Sequence, residues 1–127
     1  MHSPDGPSPP PADAGGDIRA ALLAQRAELA GQAAGLRADL AELVAASAGA
    51  NADDEHDPEG ATIAFERAQT ASLLERTEAR LAALEEALAR VEAGDYGRCT
   101  RCGAPIGAER LAARPDASLC ITCAGRR

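Results

Sequence analysis

The chain has 127 residues, a net charge of −7, no Trp, one Tyr (Tyr96) and one Phe (Phe65). Much of its apolar content is Ala, which offers little area to bury at about 25 cal/mol per Å², so a thick core is excluded and an elongated helical body with an added staple is expected. Residues 1–93 carry 17 acids and 7 Arg, a balance of −10, and no Lys is present, which excludes general phosphate-backbone binding by this part of the chain.

Residues 1–16 contain five Pro, two Ser and three Gly and are expected to form a disordered, Pro-rich tail. They lack a basic stretch followed by an apolar core, so no secretory signal is expected and the protein is placed in the cytoplasm. No apolar run approaches the roughly 20 residues of a membrane span.

Asp17 can cap a helix that starts at Ile18. From there Leu22, Leu29, Leu36 and Leu43 recur every seven residues. Ala33 and Leu40 join the alternate heptad position, with Arg19 and Arg26 occupying it nearer the start. Gly31 and Gly35 each weaken the middle by roughly 1 kcal/mol relative to Ala, and the pattern fades over residues 46–49.

The link that follows is strongly acidic: "DDEHDPEG" places Asp53, Asp54, Glu55, Asp57 and Glu59 within eight positions. Asp57 can cap a second helix, and Pro58 suits its first position, where a missing N–H costs nothing. Leu74, Leu81 and Leu88 are again seven apart. Leu84 and Val91 fill the second seam position, Thr77 is its polar member, and Ile63 extends the stripe backwards. Gly94 falls where a helix C-terminus favours left-handed backbone. Two heptad-bearing segments joined by a short polar link predict an antiparallel coiled-coil hairpin over residues 17–93, with an acidic tip at 53–59.

Residues 94–127 carry 3 acids and 6 Arg, a balance of +3. Cys99 and Cys102 form one C-x2-C pair, Cys120 and Cys123 another, with seventeen residues between them. Each pair aims two thiolates at one point, and two pairs complete a tetrahedron around Zn²⁺. Two disulfides or four idle thiols are the alternatives, and the lack of a secretory signal disfavours the first. Four Cys ligands leave no open position for a catalytic water, so one structural zinc is expected. Its binding, about 10–16 kcal/mol in finger peptides, is the staple that a segment with so little core requires. Between the pairs, "PIGAERLAARP" is expected to make a short helical turn ended by Pro115. No nucleophile–base constellation is present, which argues against an enzyme.

The stretch "GDYGRCTRCGAPIGAERLAARPDASLCITC" resembles the C4 zinc-finger signature of the DksA/TraR family of bacterial transcription regulators. The matching positions include Gly94, Tyr96, Gly97, Ile106, Arg110, Leu111, Pro115 and the four Cys. The resemblance implies a mainly α fold: an antiparallel coiled-coil hairpin on a small C-terminal zinc-finger base with four cysteine ligands. It further implies a non-enzymatic regulator that binds RNA polymerase without recognising DNA sequence. The hairpin would enter the secondary channel and direct its tip acids to the active centre, and guanosine tetraphosphate strengthens the effect in some members. Of the family's tip pattern, Asp-x-x-Asp-x-Ala, Asp54 and Asp57 match the two acids, while Glu59 stands in place of Ala. A register beginning at Asp57 puts Gly60 in place of the second acid. Asp53, Asp54, Asp57 and Glu59 are therefore the candidate tip residues, and Arg98, Arg101, Arg110 and Arg114 are candidate polymerase contacts on the basic finger. A zinc-dependent DNA-binding protein and a protein-docking adaptor are the alternative functions.

Overall fold

The computed structural model describes residues 15–49 and 58–126. Four helices account for most of them: α1 (Gly15–Gly49), α2 (Pro58–Ala93), α3 (Ala108–Ala113) and α4 (Ile121–Ala124). The described residues contain no strand; the one β-bridge pairs Arg98 with Pro105. None of these helices is long and apolar enough to cross a membrane.

The expected hairpin is present as α1 and α2. Helix α1 starts at Gly15, which puts Asp17 in the first turn and not at the cap expected from the sequence. The carboxylate still complements the exposed N–H groups there, since acids anywhere in a first turn oppose the helix dipole. Helix α2 starts at Pro58, as the N1 preference of Pro predicts. Asp57, its expected cap, lies outside the described residues. At the other end Gly94 adopts φ 80°, and its N–H donates to Val91 O at 3.2 Å, closing the helix with left-handed geometry.

The chain divides into two compact units. One comprises residues 28–81, the segments of α1 and α2 nearest the link. Here the pairing runs antiparallel: Arg37 Nη2 meets Glu78 Oε2 at 3.2 Å, and Ser47 lines one surface hollow with Gly60, Ile63 and Arg67. Ala33 is fully buried and Leu74 nearly so, while Leu29, Leu36, Leu40, Leu43 and Ile63 are half-buried. The seam is thus narrow, as a two-stranded arrangement with small residues at its centre requires. Thr77 is tolerated in it because its hydroxyl donates to Leu73 O at 2.9 Å. Helix α1 continues through Gly31 and Gly35, both exposed. Burial of the intervening Ala33 offsets their low propensity.

The other unit comprises residues 1–27 and 82–127. Leu22 of α1 and Leu84 of α2 are its largest fully buried side chains, and Ala87 is also fully buried. Arg19 forms an ion pair with Glu92 across the two helices. The remainder of this unit is the cysteine-bearing segment. A small core of Cys99, Ile106, Leu111, Ala117 and Cys123, flanked by Tyr96, Leu119 and Cys120, holds it together.

Candidate metal centre

Each C-x2-C pair lies on a turn built by backbone hydrogen bonds. In the first, Gly103 N donates to Cys99 O at 2.9 Å and Cys99 N to Ala104 O at 2.8 Å. Gly103 takes φ 78°, so the residue after Cys102 sits in the region where an L side chain is strained. In the second, Cys120 caps α4: Cys123 N donates to Cys120 Sγ at 3.4 Å, and Ala124 N to Cys120 O at 2.8 Å. Thr100 joins the two turns. Its N–H and hydroxyl both donate to Ser118 O, at 2.8 and 3.1 Å.

This framework gathers all four sulfurs within 4.8 Å of one another. Cys102 Sγ and Cys120 Sγ are 3.8 Å apart. A tetrahedron with Zn–S bonds of about 2.3 Å has edges of about 3.8 Å, so the donor set fits zinc in size and in ligand type. No disulfide joins any of the four. Cys99 and Cys123 are buried, whereas Cys102 is exposed.

The thiols differ in proton affinity. Burial pushes Cys99 up, but N–H groups of Cys102, Cys120 and Arg101 and the Cys123 thiol outweigh it and bring Cys99 down to about 6. Cys120 is lowered chiefly by the Cys123 N–H, against burial. Cys123 is pushed up to about 12 by burial first and by the neighbouring sulfurs second. A divalent cation held by these four sulfurs would keep all of them as thiolates.

Longer-range contacts brace the centre. Tyr96 Oη donates to Pro115 O at 2.8 Å, and Arg110 Nε to Leu119 O at 3.0 Å. Arg90 of α2 reaches Ala117 O at 3.4 Å. Asp116 is buried, with Arg114 Nη2 at 4.0 Å from its Oδ2. A cavity of about 320 Å³ lies between Ile18 and Ala21 of α1 and Tyr96, Leu111 and Pro115. The start of α1 and the cysteine segment thus line one hollow together.

The structure brings Cys99, Cys102, Cys120 and Cys123 together. Arg98, Arg101 and Arg114 are exposed, and Arg98 Nη1 also donates to Gly103 O at 3.4 Å. Arg110 is half-buried and committed to Leu119 O. Glu59 is exposed in the first turn of α2. Asp53, Asp54 and Asp57 lie outside the described residues. The bracing roles of Arg90 and Asp116 carry no sequence signal, because both residue types usually face solvent. Ile18 did have one: it precedes Leu22 by four residues and so shares its helix face.

Fold and centre together define a helical-hairpin protein with a four-cysteine zinc base. The family model for the prokaryotic dksA/traR C4-type zinc finger matches residues 94–127. The RNA polymerase-binding transcription factors DksA of Salmonella typhimurium and Escherichia coli K12 are each 52% identical over 40 residues. That of Haemophilus influenzae is 48% identical over 40 residues. The matched stretch is 32% of this chain and spans only about a quarter of those relatives, 26% for the first two and 28% for the third. The structure of transcription factor DksA2 from Pseudomonas aeruginosa aligns far more extensively. It covers 89% of this chain and 81% of that one at 34% identity, with a TM-score of 0.73. The chain belongs to the DksA/TraR family, and its four clustered cysteines fit one structural zinc ion.

Proposed function

We propose that this protein is a non-enzymatic, cytoplasmic transcription regulator that binds RNA polymerase through the secondary channel. The observation that carries this reading is the 34% identity to DksA2 along four-fifths of that protein, hairpin included. The name of the relatives matched over the shorter stretch, RNA polymerase-binding transcription factor, points to the same partner. In this reading zinc is structural and the hairpin delivers Asp53, Asp54, Asp57 and Glu59 to the active centre. The concentration of acids has a physical rationale there. Like charges repel in the free protein, but a basic, metal-bearing pore of low dielectric rewards each of them. The exposed Arg98, Arg101 and Arg114 are available to contact the channel's outer rim, and guanosine tetraphosphate is a candidate modulator.

The test is co-purification with RNA polymerase and transcription from a responsive promoter, comparing the wild type with Asp54→Asn/Asp57→Asn. The wild type should bind and regulate, and the neutral variant should lose regulation. A neutral variant that regulates normally removes the tip acids from the mechanism, and a wild type that does not bind polymerase ends the reading. The chain's acidic body supports this over DNA binding, which a salt-dependent shift of duplex DNA would reveal.

A further inference from the structure

The hollow shared by the start of α1 and the cysteine segment takes no part in holding zinc. Its volume is about 320 Å³. Of the residues that line it, Leu111 is buried, Ile18, Tyr96 and Pro115 are half-buried, and Ala21 and Ala112 are exposed. Among the described residues of its lining Asp17 alone is charged. Apolar surface that faces one recess from both sides gains free energy when it is covered. No cation lines the recess, so an anion would find no partner there.

We infer that the chain's own proline run, Pro9, Pro10 and Pro11, seats in this hollow and straps the start of α1 to the zinc base. Residues 1–14 lie outside the described residues, and they join the structure at Gly15. Asp17, Ile18 and Ala21 of α1 line the hollow, so the tail leaves the helix at its rim. The length suits the path. Four residues separate Pro11 from Gly15, about 13 Å of extended chain at roughly 3.3 Å per residue. Ala21 lies six residues into α1, about 9 Å along its axis at 1.5 Å per residue. A tail that doubles back at Gly15 therefore brings the run level with Ala21. The chemistry suits it as well. Pro has no N–H, so burying the run against apolar walls strands no backbone donor. Its polyproline conformation is already formed, and such runs dock in grooves that present aromatic rings. The hollow presents Tyr96, the chain's single Tyr. Linkage and charge favour this occupant over a second copy. A tethered segment acts at about millimolar effective concentration, so a contact too weak for two separate molecules is populated. A second copy would bring its net charge of −7 against the same charge.

With one Tyr and no Trp, Tyr96 is its own reporter. The experiment uses the full-length, zinc-loaded chain and compares wild type with two variants, Pro9→Ser/Pro10→Ser/Pro11→Ser in the tail and Ala112→Glu in the hollow. Zinc content and thermal melting establish that each variant folds, and the tail variant carries the test if Ala112→Glu does not. Nuclear Overhauser contacts between the Tyr96 ring and prolyl protons of residues 9–11 are expected in the wild type and absent from both variants. Acrylamide quenching of Tyr96 fluorescence should quicken by roughly twofold in the variants, as removal of a contact populated half the time gives. A wild type without those contacts, quenched at the same rate as the tail variant, overturns the inference. Contacts that run between labelled and unlabelled chains in a mixed sample, and that fade on dilution, assign the hollow to a second copy and overturn it equally.

Discussion

The hydroxyl of Tyr96 shows how single residues hold the zinc base. It donates to Pro115 O, 19 positions along the chain, and so closes the loop that leads to the second cysteine pair. Burial raises the Tyr96 pKa, with Arg90 opposing and Asp116 adding to the rise. Because the folded-state value lies above the unfolded one, the stability Tyr96 contributes is complete below pH 10 and is lost as pH rises through the folded-state value. Tyr96→Phe should therefore cost about 1 kcal/mol at neutral pH in denaturant melts, and should flatten the alkaline arm of the stability profile. The cysteines make a second prediction. With Cys123 at about 12 and Cys99 at about 6, a metal-free base at pH 7 holds at least the Cys123 proton. Zinc loading must expel it, so calorimetry in buffers of different ionisation enthalpy should register proton release and an affinity that rises with pH. The cysteine spacing was fully legible in the sequence because ligand geometry is local. The braces were not, since Arg90 acquires its role only when the chain brings residues 90 and 117 together, and nothing in the sequence marks Asp116 as buried.

At the scale of elements, the heptads placed both long helices, but not every boundary. Helix α1 extends two residues before the expected cap, because Gly15 and Gly16 follow the helix that Leu22 anchors. The sequence's leucine spacing identified the seam, yet the two Ala that are fully buried, Ala33 and Ala87, are what make it narrow. Of these the heptad pattern marked only Ala33, because among so many Ala the buried ones look like the rest. Glycines within and after the helices behave oppositely. Gly31 and Gly35 have helical backbone and nothing within 4 Å of an added Cβ, so Gly31→Ala and Gly35→Ala should each stabilise by up to about 1 kcal/mol. Gly94 also has open space around it, but its φ is 80°, and Gly94→Ala should destabilise by about 1 kcal/mol. Thermal melts of the three variants check both signs. Leu84→Ala, at a fully buried position, should cost about 2–5 kcal/mol in the same assay.

For the whole molecule, the charge distribution and the family membership support the proposed polymerase partner. The acids are concentrated in residues 1–93 and the excess of Arg in residues 94–127, a division visible in the sequence alone. What sequence patterning left open was the exposure of Phe65, because a period of seven says which residues face the partner helix and is silent about the opposite side. Chelation ties the scales together. Stripping zinc removes the staple of a base whose small core includes two of the ligands themselves, Cys99 and Cys123, and polymerase binding should fall with the metal. The most direct measurement of the central claim replaces Ala52, beside the acids, with a photo-crosslinking residue and maps the adduct formed with RNA polymerase. The account predicts a crosslink to the walls of the secondary channel close to the active centre. A crosslink confined to the polymerase's outer surface, or to promoter DNA, would contradict it.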